Sequence, residues 1–387
     1  MKVYADQAAT TKISSRSLQA MTSCCEKYFG NPSSLHEAGR EAEAALETAR
    51  GEIASCLNAR PGEIYFTSGG SEADNWAITQ AAAAGAKKGK KHLISTAFEH
   101  HAVLHTLDAL KKQGFEVTLL PVHEDGLVRL PELEAAIRED TALVTVMYVN
   151  NEVGTIQPIA GIGEICRRKG VLFHTDAVQA AGHLSIDVEA DKIDMLSLAG
   201  HKFHGPRGVG ALYVRKGIPL GNLIYGGGQE RGKRAGTENL PGIAGMAEAL
   251  KESLQDREEK NARILCMREK LADAILQIPK TRLNGSREKR LAGNLNFCFD
   301  GIEGESLLLY LDLQGICASS GSACTSGSLD PSHVLLALGL PAEVAHGSLR
   351  LSLDETNTME EVDYIIQVLP DVVKRLRAMS PIWNGVG

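Results

Sequence analysis

Lys202 sits in Ser197-Leu-Ala-Gly-His-Lys-Phe-His-Gly-Pro-Arg-Gly-Val-Gly210. Gly200, Gly205 and Gly208 weaken helix and strand alike there. Two apolar runs that read as strands, 193–198 and 209–214, flank it. A desolvated lysine amine on a tight loop at a strand end can form a Schiff base with an aldehyde cofactor. A lone loop lysine is by default a solvated one, so the weight falls on other residues. Asp176 lies 26 positions earlier, at another strand end. A carboxylate there could keep a pyridine nitrogen protonated, or could make a structural hydrogen bond. Gln179 could contact a phenolic oxygen or cap the following turn.

These residues need a scaffold that gathers strand ends. Apolar strands alternate with helical patterns from residue 63 to 214: strands at 63–67, 92–97, 115–122, 142–149 and 171–176, helices at 101–113, 131–138 and 159–169. This rhythm predicts an α/β fold with a largely parallel sheet covered on both faces. Ligands bind such sheets at the carboxyl ends of the strands, where His100, Asn150-Asn151-Glu152, Asp176 and Lys202 fall. Residues 35–58 read as one amphipathic helix, with capping-box spacing between Ser34 and Glu37. Ser68-Gly-Gly-Ser71 turns a strand into an Ala-rich helix and would present backbone N–H groups to a phosphate; it is equally an ordinary helix cap. A helical stretch spans about 241–278, and polar, turn-rich 281–290 marks a boundary. Beyond it, strands at 294–299, 315–319 and 348–353 and helices at 305–314 and 359–378 predict a smaller α+β domain.

The chain has 387 residues, 43% hydrophobic and 23% charged, an ordinary globular composition with room for two cores. A net charge of -7 argues against nucleic-acid binding. No apolar run approaches the roughly 20 residues of a membrane helix, and the start, Met1-Lys-Val-Tyr-Ala-Asp, carries no secretion-like segment. A cytoplasmic location is expected. None of the eight cysteines forms a C-x-x-C pair, so no metal site is expected. Cys56, Cys166, Cys266 and Cys298 read as small core residues, and Cys317 as structural. Cys324 differs. It stands in Ser319-Ser-Gly-Ser-Ala-Cys-Thr-Ser-Gly-Ser328, a run of small residues that should be mobile and leave the thiol exposed as a nucleophile.

Seven motifs occur in order: 6–11 (DQAATT), 66–75 (FTSGGSEADN), 99–100 (EH), 150–154 (NNEVG), 174–179 (HTDAVQ), 200–202 (GHK) and 319–324 (SSGSAC). Together they resemble the pyridoxal-phosphate cysteine desulfurases of class-V aminotransferase type, over almost the whole chain. The stretches 228–239 and 324–333 and the end Leu376-Arg-Ala-Met-Ser-Pro-Ile-Trp383 resemble the nitrogen-fixation (NifS-type) branch. The resemblance implies a fold-type I transferase with a large domain over 15–260 and a small domain made of 1–14 and 261–387. It implies that Lys202 carries pyridoxal 5'-phosphate and moves protons, Asp176 holds the pyridinium, and His100 stacks on the ring and acts catalytically as a proton relay. Gln179 would contact the phenolic oxygen; Gly70, Ser71 and His201 would hold the phosphate. Thr237 would reach it from the neighbouring subunit of a homodimer. Asn151 would contact the phenolic oxygen or the substrate, and Arg350 would grip the substrate carboxylate. Cys324 would take sulfur from L-cysteine as a persulfide, leaving alanine, and pass it to an iron–sulfur scaffold protein. Ala199 departs from the pattern, since that family usually has a serine there that donates to the phosphate. Ser71 replaces the commoner threonine, and Gln7 stands where asparagine is common. The alternatives are a selenocysteine lyase or aminotransferase, which has no need of Cys324, and a non-catalytic scaffold, which has no need of Lys202, Asp176 and Cys324 together.

Overall fold

The computed structural model describes residues 1–320, 331–381 and 383. Its strands are β1 (Val3–Tyr4), β2 (Ile64–Thr67), β3 (His92–Thr96), β4 (Glu116–Leu120), β5 (Thr141–Thr145), β6 (Leu172–Asp176), β7 (Met195–Ala199), β8 (Gly210–Val214), β9 (Thr281–Leu283), β10 (Asn294–Phe299), β11 (Ile316–Cys317) and β12 (Ser348–Ser352). The main sheet runs β2-β8-β7-β6-β5-β3-β4. The strands from β7 to β4 pair in parallel, while β8 is antiparallel to both β7 and β2.

The near-continuous apolar strands follow from burial on both faces, with side chains alternating at period two. Leu93, Leu143, Met195 and Leu212 point to one side, against Trp76, Ala77 and Ile78 of the helix Gly70–Ala86. Their neighbours Ile94, Val144, Leu196 and Ala211 point to the other. There they meet Ile53, Ile162 and Met246 from the helices Glu37–Cys56, Ile159–Lys169 and Leu240–Leu254. A second core lies around the antiparallel sheet β12-β10-β9. Leu295, Phe297, Leu349 and Leu351 pack there with Met267 and Leu271 of Arg257–Ile275 and Ile365 and Leu369 of Met359–Met379. The chain's first residues join this region through β1, which pairs in parallel with β11.

Several local expectations change. The helix at 37–56 is capped by His36, whose Nδ1 accepts from Gly39 N at 3.2 Å, and not by Ser34. The strand expected at 142–149 is regular only over Thr141–Thr145; beyond it Val146 N and Tyr148 N still donate to His174 O and Asp176 O, while Met147 N turns to the Glu99 carboxylate. The stretch 241–278 is two helices, broken at Asp256 in a left-handed conformation (φ 51°). The polar boundary contains β9, and Ser15–Lys27 is a helix that polar composition hid. Cys266 is exposed, on the outer face of its helix, and Cys56 is half-buried. No helix among the described residues is long and apolar enough to cross a membrane.

Trp76 is fully buried; its ring meets Tyr65 edge-on at 5.5 Å, and its Nε1 donates to Gly221 O at 3.0 Å. Trp76→Ala is expected to destabilise the protein by about 3–5 kcal/mol. Urea unfolding would show a lower midpoint; an unchanged one would mean that the helix does not depend on this anchor.

Candidate active site

The parallel strands end at a common edge, and the turns that follow them line one cavity of about 380 Å³. Its floor is Asp176, the last residue of β6, held by register beside Ser197 of β7. Asp176 Oδ1 accepts from Val178 N at 2.9 Å. Burial raises its pKa to about 6, against the pull of that N–H and of the Lys202 cation. Behind it lies Asp74, 1% exposed, which sequence reasoning did not single out. Burial first, then the Asp176 charge, pushes the Asp74 carboxyl far above the ordinary range, although Ser197 donates to it. Two adjacent carboxylates cannot both ionise away from water. Asp74 therefore keeps the proton and Asp176 takes the negative charge. His174 beside them is neutral, lowered to about 3 by burial; its Nε2 lies 3.0 Å from Ser197 Oγ and 3.7 Å from Asp74 Oδ1. The signal for Asp74 was an acid between Ala73 and Trp76 on the apolar face of an Ala-rich helix.

Lys202 lies in a short 3₁₀ turn that continues β7. Its Nζ donates to Ala8 O at 2.7 Å and Ala9 O at 2.8 Å. Gln179 Nε2 donates to the same Ala8 carbonyl at 2.9 Å. The segment 6–11 thus crosses the cavity mouth and supplies acceptors to the lysine, a link between positions nearly 200 residues apart. His201 is neutral, lowered to about 4 by burial and by Lys202, with Nδ1 3.1 Å from Thr10 Oγ1.

His100 caps the helix His101–Lys111, its Nδ1 accepting from Ala102 N at 3.1 Å, so the neutral ring carries its proton on Nε2. Burial, then the Lys202 charge, lowers its pKa to about 4. The preceding Glu99, raised to about 8 by burial, accepts from Thr96 Oγ1 and Met147 N and ties the turn after β3 to the one after β5. Gly70 and Ser71 open the helix Gly70–Ala86, whose first N–H groups have no intrahelical acceptor. A Cβ at Gly70 would stand 2.6 Å from Val178 Cγ2, so only glycine lets this turn close over the floor.

Arg350 of β12 reaches the opposite wall. Nη1 donates to Asn151 O at 2.9 Å, and Nη2 pairs with Asp6 Oδ1 at 2.8 Å. Its Nε is buried with no hydrogen-bond partner among the described residues. One cavity therefore gathers Gly70, Ser71, His100, Asn151, Asp176, Gln179, His201, Lys202 and Arg350. Ala199 lines it with a methyl group where a hydroxyl is expected. Thr237 lies apart, exposed beside a second cleft with Phe66, Ser68 and Asn239. Cys324 lies outside the described residues.

The donor set suits a phosphorylated pyridine aldehyde: a carboxylate floor for a ring nitrogen, a lysine, a neutral imidazole, a helix N-terminus for phosphate. The unpartnered Arg350 Nε adds a contact for a carboxylate. Residues 3–365 match the aminotransferase class-V family. The chain belongs to this family of pyridoxal-phosphate-dependent enzymes. It is similar to the cysteine desulfurase IscS of Clostridium botulinum, 52% identical over 386 residues, 99% of this chain and 97% of that one. The cysteine desulfurase IscS of Methanosarcina thermophila is 53% identical over 380 residues, covering 98% and 94%. A solved NifS-like protein superimposes with a TM-score of 0.91 at 39% identity, covering 97% of this chain and all of that one.

A neutral His100 binds fewer protons folded than unfolded. Its contribution to stability is complete above the ordinary value of about 6.5 and falls away as pH drops toward about 4. An imidazole NMR titration of the cofactor-free protein should place its midpoint near 4. A midpoint of about 6.5 would show a solvated ring.

Proposed function

We propose that the protein is a cysteine desulfurase that converts L-cysteine to L-alanine and carries the sulfur as a persulfide on Cys324. The observation that carries this reading is one cavity holding Lys202, Asp176 and His100 on one side and the buried guanidinium of Arg350 on the other, in a chain half-identical to named cysteine desulfurases. When bound, pyridoxal 5'-phosphate offers an aldehyde carbon to an amine and a cationic ring that takes up an electron pair from the substrate carbon. Asp176 would sustain the ring's positive charge, and Gly70, Ser71 and His201 would hold the phosphate. Arg350 and Asn151 orient the substrate with its carboxylate on the guanidinium. Lys202 would move the proton at the substrate Cα, and neutral His100 would stack on the ring. The Cys324 thiolate attacks the substrate sulfur: an S–S bond forms, the C–S bond breaks, and its electron pair stays on the carbon until protonation there gives alanine.

Residues 15–260 form the large domain, and 1–14 with 261–387 the small one; the separate core around β9, β10 and β12 supports this division. Thr237, exposed and away from the cavity of its own chain, suits a contact to the phosphate of a second subunit in a homodimer. The sulfur goes to an iron–sulfur scaffold protein in the cytoplasm. The NifS-type stretches 228–239 and 324–333 favour nitrogenase-related assembly.

Incubation with L-cysteine followed by peptide mass analysis should find the persulfide on Cys324. Cys324→Ala should keep the cofactor chromophore and lose sulfur transfer, whereas full sulfide release from it would refute the nucleophile. Lys202→Ala should lower kcat about 10²–10⁴-fold. Arg350→Ala should act mainly on KM, by about 2–5 kcal/mol.

A further inference from the structure

Two residues past Lys202, His204 turns its ring away from the cavity toward the chain that follows β12. Its Nδ1 stands 2.9 Å from Lys12 O, and a carbonyl only accepts, so Nδ1 carries hydrogen. Nε2 then faces Asp354 Oδ2 at 3.3 Å and Glu355 Oε2 at 3.6 Å. His204 is 7% exposed and Asp354 1%, yet His204 Nε2 and Asp354 Oδ2 have no hydrogen-bond partner among the described residues. Asp354 Oδ1 is already engaged, accepting from Thr356 N at 2.8 Å and Thr356 Oγ1 at 2.6 Å, so Oδ2 is the atom left over. Glu355 lies at the rim, its side chain 27% exposed, which gives water and ions a way in. The Lys260 amine stands 3.9 Å from the other oxygen of Glu355, Oε1.

We propose that His204, Asp354 and Glu355 bind a divalent transition-metal ion that ties the Lys202 loop to the end of β12, the strand carrying Arg350. Ligands about 2.0–2.2 Å from such an ion stand roughly 3.0–3.6 Å from each other, and both separations fall in that range. The pairs are poorly placed for hydrogen bonds but well placed to share an ion. A ring nitrogen bound to a backbone carbonyl, with the other directed at carboxylates, is also how metal-binding histidines are oriented. One imidazole and two carboxylates suit manganese or zinc. No spacing in the sequence announced the site, since 150 positions separate its two halves. It therefore runs against the expectation of no metal.

Mn²⁺ is the probe of choice, because thiols bind it poorly and the chain has eight cysteines. Titrating the full-length, pyridoxal-phosphate-loaded protein and following the electron-spin signal of free Mn²⁺ should show one ion taken up per chain. His204→Ala and Asp354→Asn should each weaken uptake at least tenfold. Glu355→Gln, a change at the rim that leaves the buried packing alone, should also weaken it about tenfold while cofactor absorbance stays unchanged. No uptake, or uptake equal in all three variants, would overturn the proposal and leave His204 as an imidazolium between two carboxylates.

Discussion

A single ionised carboxylate, buried at the floor of the cavity, is the constraint from which the site follows. Asp176 ends a strand buried on both faces. A charge there is costly unless its neighbours give up theirs. Asp74 and Glu99 are held toward their protonated forms, and His174 and His100 are neutral. The charges left lining the cavity are Asp176, the Lys202 cation and, on the opposite wall, the Arg350 guanidinium. Asp176 would hold a pyridinium with charges already fixed by the fold.

The second dependence is on the first dozen residues. Without the carbonyls of Ala8 and Ala9 the Lys202 amine would lose two acceptors. Without Asp6, Arg350 would lose its charged partner. The same segment is anchored through Val3 against Ile316 and through Gln7 N to Ser352 O. It therefore couples the lysine loop to the sheet that carries the arginine. Arg350 Nε, buried without a partner among the described residues, is costly to hold, and such groups are a common feature of sites that bind charged ligands.

Where one principle acted alone, the sequence was legible. The helix Ile159–Lys169 and the strand Asn294–Phe299 have the expected bounds, because their apolar periods are regular. Competing signals misled. Ser34 and Glu37 have capping spacing, but His36 sits one residue before the first helical residue and its ring nitrogen takes the free N–H. The helix Ser15–Lys27 buries little beyond Ser17 and Cys24, so its pattern carried almost no hydrophobic signal. In β9 the strand is made by its pairing with β10, which a three-residue window cannot reveal.

The sequence by itself determined the βα rhythm, the glycine turns at Gly70 and Lys202, and the chemical types at the strand ends, because these depend on neighbours within a few residues. It carried Asp176, His100 and Arg350 as chemistry without saying what they touch. The tertiary structure decided which carboxyl keeps its proton, since that depends on how closely Asp74 of the helix Gly70–Ala86 approaches Asp176 at the end of β6. It also decided that Ala8 and Ala9 receive the lysine, and that His204 meets Asp354. Such contacts join residues 150 or more positions apart, and only packing two cores against each other fixes their separation.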